Sequence, residues 1–240
     1  MDANNFDRRI VFLCSGGGGN LAFVQSAIER NWLKGAKIAG VFTDRLCPAS
    51  GFAERTGLYN RVIEINDKIQ EQLYSELNAL NPDIIITTVH KIIGYDIINQ
   101  YSNQLVNLHY SLLPSFSNLI GSKPLEAALK HQVLIAGVTV HFVDEQVDAG
   151  RPIVQGAIAL NANDTIENLM PVVFRCGCIA MLRALYSLLS NSTFFSSSPT
   201  SLHVLGRLCL FSGGETVPEE FVSDEEYWME LQESLFFGKK

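Results

Sequence analysis

The sequence predicts an α/β fold: a doubly wound, mostly parallel, Rossmann-like sheet with a small C-terminal β-hairpin extension. Three observations carry this reading. Short apolar runs bounded by turn residues, at 9–14 and 82–88, read as strands buried on both faces. Helical spacing alternates with them, as at 67–80, where Ile69, Leu73, Leu77 and Leu80 fall on one face. A glycine cluster separates the first strand from the first helix. Alternating strands and helices build a parallel sheet with helices on its faces.

In chain order, the run Ile10-Val11-Phe12-Leu13 marks the first strand. Ser15-Gly16-Gly17-Gly18-Gly19-Asn20 follows, then a helix over 21–28. Strand, glycine loop and helix aim free backbone N–H groups at an anion, and the glycines let a phosphate come close. A tight turn without a ligand fits the same residues. The loop is out of register with G-x-G-x-x-G, which disfavours a dinucleotide site. A second strand is expected at 37–43, then a loop through Pro48 and Gly51, then a helix ending at Gly57. Residues 61–65 read as a third strand, 82–88 as a fourth, and 96–101 as a helix leading into a strand at 107–114.

Further on, 137–143 is a strand backed by the acidic loop 144–150, and 152–156 resumes an extended path. Asp164 is placed to cap a long helix running to about residue 189. A Ser/Thr-rich connector leads to a hairpin between 202 and 217, turning at Gly213-Gly214, and to a terminal helix within 219–237. The expected domains are a catalytic domain at 1–190 and an extension at 191–240.

Composition narrows the function. The 240 residues are 47% apolar and 18% charged, enough for a sizeable core, and the net charge of −7 argues against nucleic acid as partner. No run of about 18 apolar residues suggests a membrane span, and the start lacks a signal-peptide core. The expected location is the cytoplasm. Five scattered cysteines lack metal or redox spacing and read as small buried residues, so no metal is expected.

The stretch Val106-Asn107-Leu108-His109 places an amide and an imidazole two residues apart, on one face of a strand. Both offer N–H donors, which suits a developing oxyanion. Alone, the pair fits equally a strand-edge amide and a satisfied core histidine.

Three motifs, in order, change that balance: Ser15-Gly-x-Gly-x-Asn20-Leu, Asn107-x-His109-x-Ser-Leu-Leu-Pro114, and Gly137-Val-Thr-Val-His141-Phe-Val-Asp144 with Asp148-x-Gly150. Together they resemble the folate-dependent formyltransferases over roughly residues 9 to 190. That group includes glycinamide ribonucleotide transformylase, methionyl-tRNA formyltransferase and the sugar N-formyltransferases. The resemblance implies transfer of a formyl group from 10-formyltetrahydrofolate to a primary amine. It places the catalytic set on Asn107, His109 and Asp148. Asn107 and a protonated His109 would stabilise the oxyanion, while Asp148 would hold the imidazolium and relay a proton through water. The folate would lie against Val89, His90, Lys91, Ile92 and Ile93, and against Val143, Asp144, Glu145 and Val147. Ser15, Gly16, Gly17, Gly18, Gly19 and Asn20 would cradle a substrate phosphate. His141 reads as structural, His131 and His203 as surface residues.

The acceptor is less determined. The glycine loop resembles the cradle of the glycinamide ribonucleotide enzymes. The acceptor side departs from them: Tyr110 replaces a proline, Ser117-Asn118-Leu119-Ile120 replaces Pro-Gly-Leu-His, and Val173-Phe174-Arg175 stands where a Glu-His pair is expected. The reading therefore leans to a nucleotide-linked amino sugar, with glycinamide ribonucleotide as the alternative, and gives the hairpin a role in a homodimer. A tRNA acceptor suits an acidic chain poorly. A non-catalytic folate- or nucleotide-binding protein, or a hydrolase releasing formate, would share the fold.

Overall fold

The computed structural model describes residues 8–63, 70–90, 93–190, 198–212 and 217–236. The chain forms two compact units, Met1–Val106 with Glu225–Lys240, and Asn107–Asp224.

The first unit alternates strand and helix: β1 (Arg8–Cys14), α1 (Gly19–Glu29), β2 (Ala36–Thr43), α2 (Pro48–Arg55), β3 (Asn60–Val62), α3 (Gln70–Leu80), β4 (Ile84–Thr88) and α4 (Tyr95–Gln100). Its strands run in the order β3-β2-β1-β4, all parallel. β1 is central, and Ile10, Val11, Phe12 and Leu13 have no exposed surface because both faces of the strand are covered. Ile10 to Cys14 lie opposite Ile84 to Thr88, so the two strands end level beside the glycine loop. The terminal helix expected beyond residue 219 is present as α7 (Glu219–Ser223) and α8 (Glu225–Phe236). In the first unit α8 packs on α1 and α2. Trp228 stacks on Phe23 with ring centroids 6.1 Å apart, and the Arg30 guanidinium lies 4.8 Å over the Tyr227 ring. Burying two such aromatic side chains contributes several kcal/mol, at about 1.5–3 kcal/mol for a large apolar side chain.

The chain passes into the second unit within β5 (Leu105–His109). There follow α5 (Lys123–Lys130), β6 (Ile135–Phe142), β7 (Pro152–Ala159), α6 (Ile166–Leu189), β8 (Thr200–Val204) and β9 (Arg207–Phe211). Within the second unit β6 pairs antiparallel with β7, β7 with β9, and β9 with β8. The helix α6 packs on β6 and β7 and is buried along most of its length. It is long and apolar enough to pass for a membrane span by composition, but 78% of its most apolar window is buried within the protein. Here it is the core helix of its unit, with Arg175 and Arg183 among its buried residues.

Several boundaries differ from the expectation. The strand expected over 107–114 stops at His109, and a series of turns follows. Pro48 and Gly51 lie in α2 rather than in a loop, because Pro48 takes the first helical turn, where a missing N–H costs nothing. Asp164 does not cap α6. Thr165 does, in a reciprocal box with Asn168, while Asp164 pairs with Arg207. The hairpin turns at Leu205-Gly206, with φ of 50° and 76°. Positive φ at both central residues matches the twist of paired strands, and a leucine there hid the turn. Residues 213–214 and the end of the strand expected at 61–65 lie outside the described residues.

Candidate active site

In the second unit, β5 delivers Asn107 and His109 to the end of the strand, with Asn107 half-buried and His109 6% exposed. The loop between β6 and β7 brings Asp148 to the imidazole: Nε2 of His109 lies 3.3 Å from Asp148 Oδ2. The pairing expected from the motif is therefore present. Two local features hold the carboxylate there. Asp148 sits at φ 59°, a left-handed conformation that aspartate tolerates. Gly150 runs so close to β6 that a Cβ would stand 1.8 Å from the Phe142 carbonyl oxygen. Only glycine permits that approach.

The partners of His109 settle what its ring offers. Nδ1 lies 3.0 Å from Ser111 Oγ, and that hydroxyl donates its own hydrogen to the Ser115 carbonyl at 2.5 Å. Ser111 therefore accepts from Nδ1–H. Nε2 faces the Leu119 carbonyl at 3.0 Å as well as Asp148. Each partner is an acceptor, a set that an imidazole protonated on both nitrogens satisfies. Asp148 Oδ2 also accepts from the Asn118 backbone N–H at 2.7 Å. The loop at 117–120 thus grips both catalytic candidates with its backbone. These contacts have no signature in residue spacing, because Phe116 and Asn118 turn the chain back through positive φ.

Behind the site, Thr139 fixes the turn after β5. Its buried hydroxyl donates to the Ser111 carbonyl at 2.7 Å and accepts from the Leu113 N–H at 3.0 Å. Gln155 Nε2 donates to the Leu113 carbonyl and to Thr139 Oγ1, each at 3.1 Å. His141 is 1% exposed, and its Nδ1 lies 2.8 Å from the Phe142 carbonyl. Its Nε2 stands 3.9 Å from Asp148 Oδ1. Burial lowers the pKa of His141.

The other expected contacts divide between the units. Val143 is half-buried, while Asp144, Glu145 and Val147 are exposed on the loop that carries Asp148. Asp144 Oδ1 accepts from the Gln146 N–H at 3.0 Å, which shapes that loop. In the first unit Ile93 is buried, Val89 half-buried and His90 exposed; Lys91 and Ile92 lie outside the described residues.

The glycine loop, also in the first unit, joins β1 to α1. Gly18 is the N-cap at φ 75°, and a Cβ there would come within 2.9 Å of the Ala49 Cα. Gly16 and Gly17 face open space, and α1 carries no acidic residue in its first turn, so its free N–H groups suit an anion. The Ser15 hydroxyl is less available, because it accepts from the His90 N–H at 2.9 Å. The neighbouring Asp44 carboxyl is held below its ordinary pKa by Arg45 first, against some burial, with help from Ser15. Asn20 Oδ1 is buried without a partner. Among the described residues, no group of three or more His, Cys, Asp or Glu is arranged to hold a metal.

Comparison with known proteins gives a consistent picture. Residues 8–185 match the family model described as formyl transferase. The trifunctional purine biosynthetic protein adenosine-3 of Homo sapiens is 34% identical over 171 residues, which is 67% of this chain and 16% of that protein. The phosphoribosylglycinamide formyltransferase of Bacillus subtilis is 28% identical over 172 residues, covering 68% of this chain and 85% of its own. Among solved structures, glycinamide ribonucleotide transformylase 1 from Symbiobacterium toebii superimposes with a TM-score of 0.71 at 26% identity, over 78% of this chain and 90% of that one. The chain spans a small part of the length of the first of these relatives.

Proposed function

Because the chain belongs to the formyl transferase family, matching its model over residues 8–185, we propose that it moves a formyl group from 10-formyltetrahydrofolate to the primary amine of glycinamide ribonucleotide. The observation that carries the chemistry is the His109–Asp148 pair beside Asn107 at the end of β5. The acceptor rests on the relatives, which are named for phosphoribosylglycinamide formylation or purine synthesis. They favour it over the nucleotide-linked amino sugar toward which Tyr110 and the 117–120 loop lean.

In this reading the amine attacks the formyl carbon, and the carbonyl oxygen gains negative charge. Asn107 donates to that oxygen, and His109 does so when its Nε2–H turns from the Leu119 carbonyl to the substrate, a change of partner that substrate binding drives. Asp148 orients His109 and takes up the amine's proton through a water. The folate supplies the formyl group and a nitrogen leaving group. Val143, Asp144, Glu145 and Val147 would meet its pteridine: a loop offering backbone polar groups and an apolar Val147 suits a flat ring with a hydrogen-bonding edge. Val89, His90 and Ile93 of the first unit are carried as proposed folate contacts on the resemblance of the sequence alone. Ser15, Gly16, Gly17, Gly18, Gly19 and Asn20 would receive the acceptor's phosphate at the start of α1.

The test is a panel of amines assayed with the purified protein and 10-formyltetrahydrofolate, following release of tetrahydrofolate and of formylated product. Product with glycinamide ribonucleotide is the expected result. Product only with nucleotide-linked amino sugars would replace the acceptor, and formate without product would make the protein a hydrolase.

A further inference from the structure

Asp148 uses its two oxygens differently. Oδ2 takes both the Asn118 N–H, at 2.7 Å, and the His109 contact, at 3.3 Å. Oδ1 is the oxygen turned to His141 Nε2, 3.9 Å away, too far for a direct hydrogen bond. His141 is fully buried on β6, and its Nε2 is a buried polar atom with no hydrogen-bond partner. A polar atom in that position is costly unless something satisfies it.

The tautomer follows from the other ring nitrogen. Nδ1 lies 2.8 Å from the Phe142 carbonyl, which can only accept, so Nδ1 carries the hydrogen. In the neutral ring Nε2 then presents a lone pair. Burial, the largest influence on this ring, favours the neutral form, as does His109; the Phe142 carbonyl, Asp148 and Asp144 oppose them, and the net direction is downward. Nε2 and Asp148 Oδ1 are therefore two acceptors facing each other. A single water, about 2.8 Å from each, spans a gap of this size and donates one hydrogen to each.

We propose that His141 is a positioning residue, whose Nε2 and Asp148 Oδ1 together hold the water that carries the proton in formyl transfer. The proposal rests on the formyl-transfer reading above and gives His141 a role beyond packing. A water that donates both hydrogens into the protein turns its lone pairs outward, ready to accept. As the amine forms its bond to the formyl carbon, an amine N–H bond breaks and the proton passes to this water. The water releases one of its own hydrogens to Asp148 Oδ1. The same hydrogen returns through the water to the folate nitrogen as the carbon–nitrogen bond breaks, leaving Asp148 a carboxylate and the water unchanged.

The experiment compares wild type with His141→Leu and His141→Gln, using the acceptor that the amine panel identifies. Leucine fills similar volume without an acceptor atom, and glutamine can place a carbonyl oxygen near the position of Nε2. The expected result is a roughly 10²-fold fall in kcat for His141→Leu, the lower end of the range for a proton-transfer group, because the water that transfers the proton loses one of its two anchors. KM stays within about twofold, and His141→Gln recovers much of the loss. Thermal unfolding of each variant is recorded alongside. A folded His141→Leu with unchanged kcat would overturn the proposal. So would equal losses in both variants that track their loss of melting temperature, since that pattern is structural. Nitrogen-15 spectra of the histidine rings in the whole protein give a reading independent of turnover. A His141 that is neutral with hydrogen on Nδ1 at pH 7.5 is expected, and hydrogen on Nε2 would overturn the water site. A wild type that formylates no amine would refute the underlying activity, whereas an active wild type with indifferent variants would refute only the role of His141.

Discussion

His109 and Asp148 meet Nε2 to Oδ2 at 3.3 Å, and the same carboxylate oxygen accepts the Asn118 backbone N–H at 2.7 Å. The imidazole is thus oriented by a group that is itself held by main chain. Asp148→Asn tests this arrangement cleanly, because asparagine also tolerates the left-handed backbone at φ 59°. The fold should survive, as judged by circular dichroism. The kcat for formyl transfer should fall by roughly 10²- to 10⁴-fold, with a smaller change in KM. Turnover within a few-fold of wild type would remove Asp148 from the proton path.

Gly150 secures that carboxylate from two residues away. A Cβ at this position would stand 1.8 Å from the Phe142 carbonyl oxygen, and the Phe142 N–H donates to the Arg151 carbonyl at 3.0 Å, so the end of the loop is pinned to β6. Gly150→Ala must push the loop away from β6. A loss of about 2–4 kcal/mol in urea unfolding is expected, typical of substitutions that force backbone movement at a packed site. The kcat should fall with it, because Asp148 moves off His109. Unchanged stability and activity would show that the loop has slack the contact distances deny.

Residue pattern reveals much of this site, and its failures have physical causes. Apolar runs located β1, β4 and β6, since buried strands must be apolar on both faces. The two-residue spacing of Asn107 and His109 placed them together at the end of β5. The Leu119 carbonyl and the Asn118 N–H could not be found the same way. They meet His109 and Asp148 through a loop whose path depends on positive φ at Phe116 and Asn118, and backbone groups carry no side-chain signal. The same reason hid the hairpin turn, where Leu205 takes a conformation usually left to glycine or asparagine. His141 read as packing because its strand is apolar, yet the ring's second nitrogen faces a carboxylate.

Asp164 and Arg207 tie the start of α6 to β9 through two parallel hydrogen bonds, one of them 2.8 Å between Arg207 Nη1 and Asp164 Oδ2. Arg207, more than any other influence, lowers the Asp164 pKa from its ordinary 3.8. A carboxyl depressed by folding stabilises the native state above its unfolded value, and that contribution is lost as pH falls through the folded value. Asp164→Asn should therefore unfold more easily at pH 7, by about 1–3 kcal/mol for a charge-assisted pair. The gap between wild type and variant should narrow as pH falls below 3.8 and close only below the lowered folded value. Urea unfolding over a pH series from 7 into acid measures this; a gap that widens as pH falls would deny the ion pair its role.

Thr139 has no exposed surface and links three elements through one hydroxyl, which donates to the Ser111 carbonyl and accepts from the Leu113 N–H and Gln155 Nε2. Thr139→Val keeps the shape and removes the hydroxyl, leaving a buried carbonyl and a buried N–H without that partner. The cost of such orphaned groups, here the Ser111 carbonyl and the Leu113 N–H, is about 1–3 kcal/mol each, while Gln155 Nε2 keeps the Leu113 carbonyl as its partner. A total loss of roughly 2–4 kcal/mol is expected in chemical unfolding. The chemistry should suffer as well, since the turn that Thr139 holds carries Ser111, the acceptor for His109 Nδ1–H. A variant that loses stability but keeps full kcat at saturating substrates would show that Ser111 stays in place by its bond to Ser115 alone.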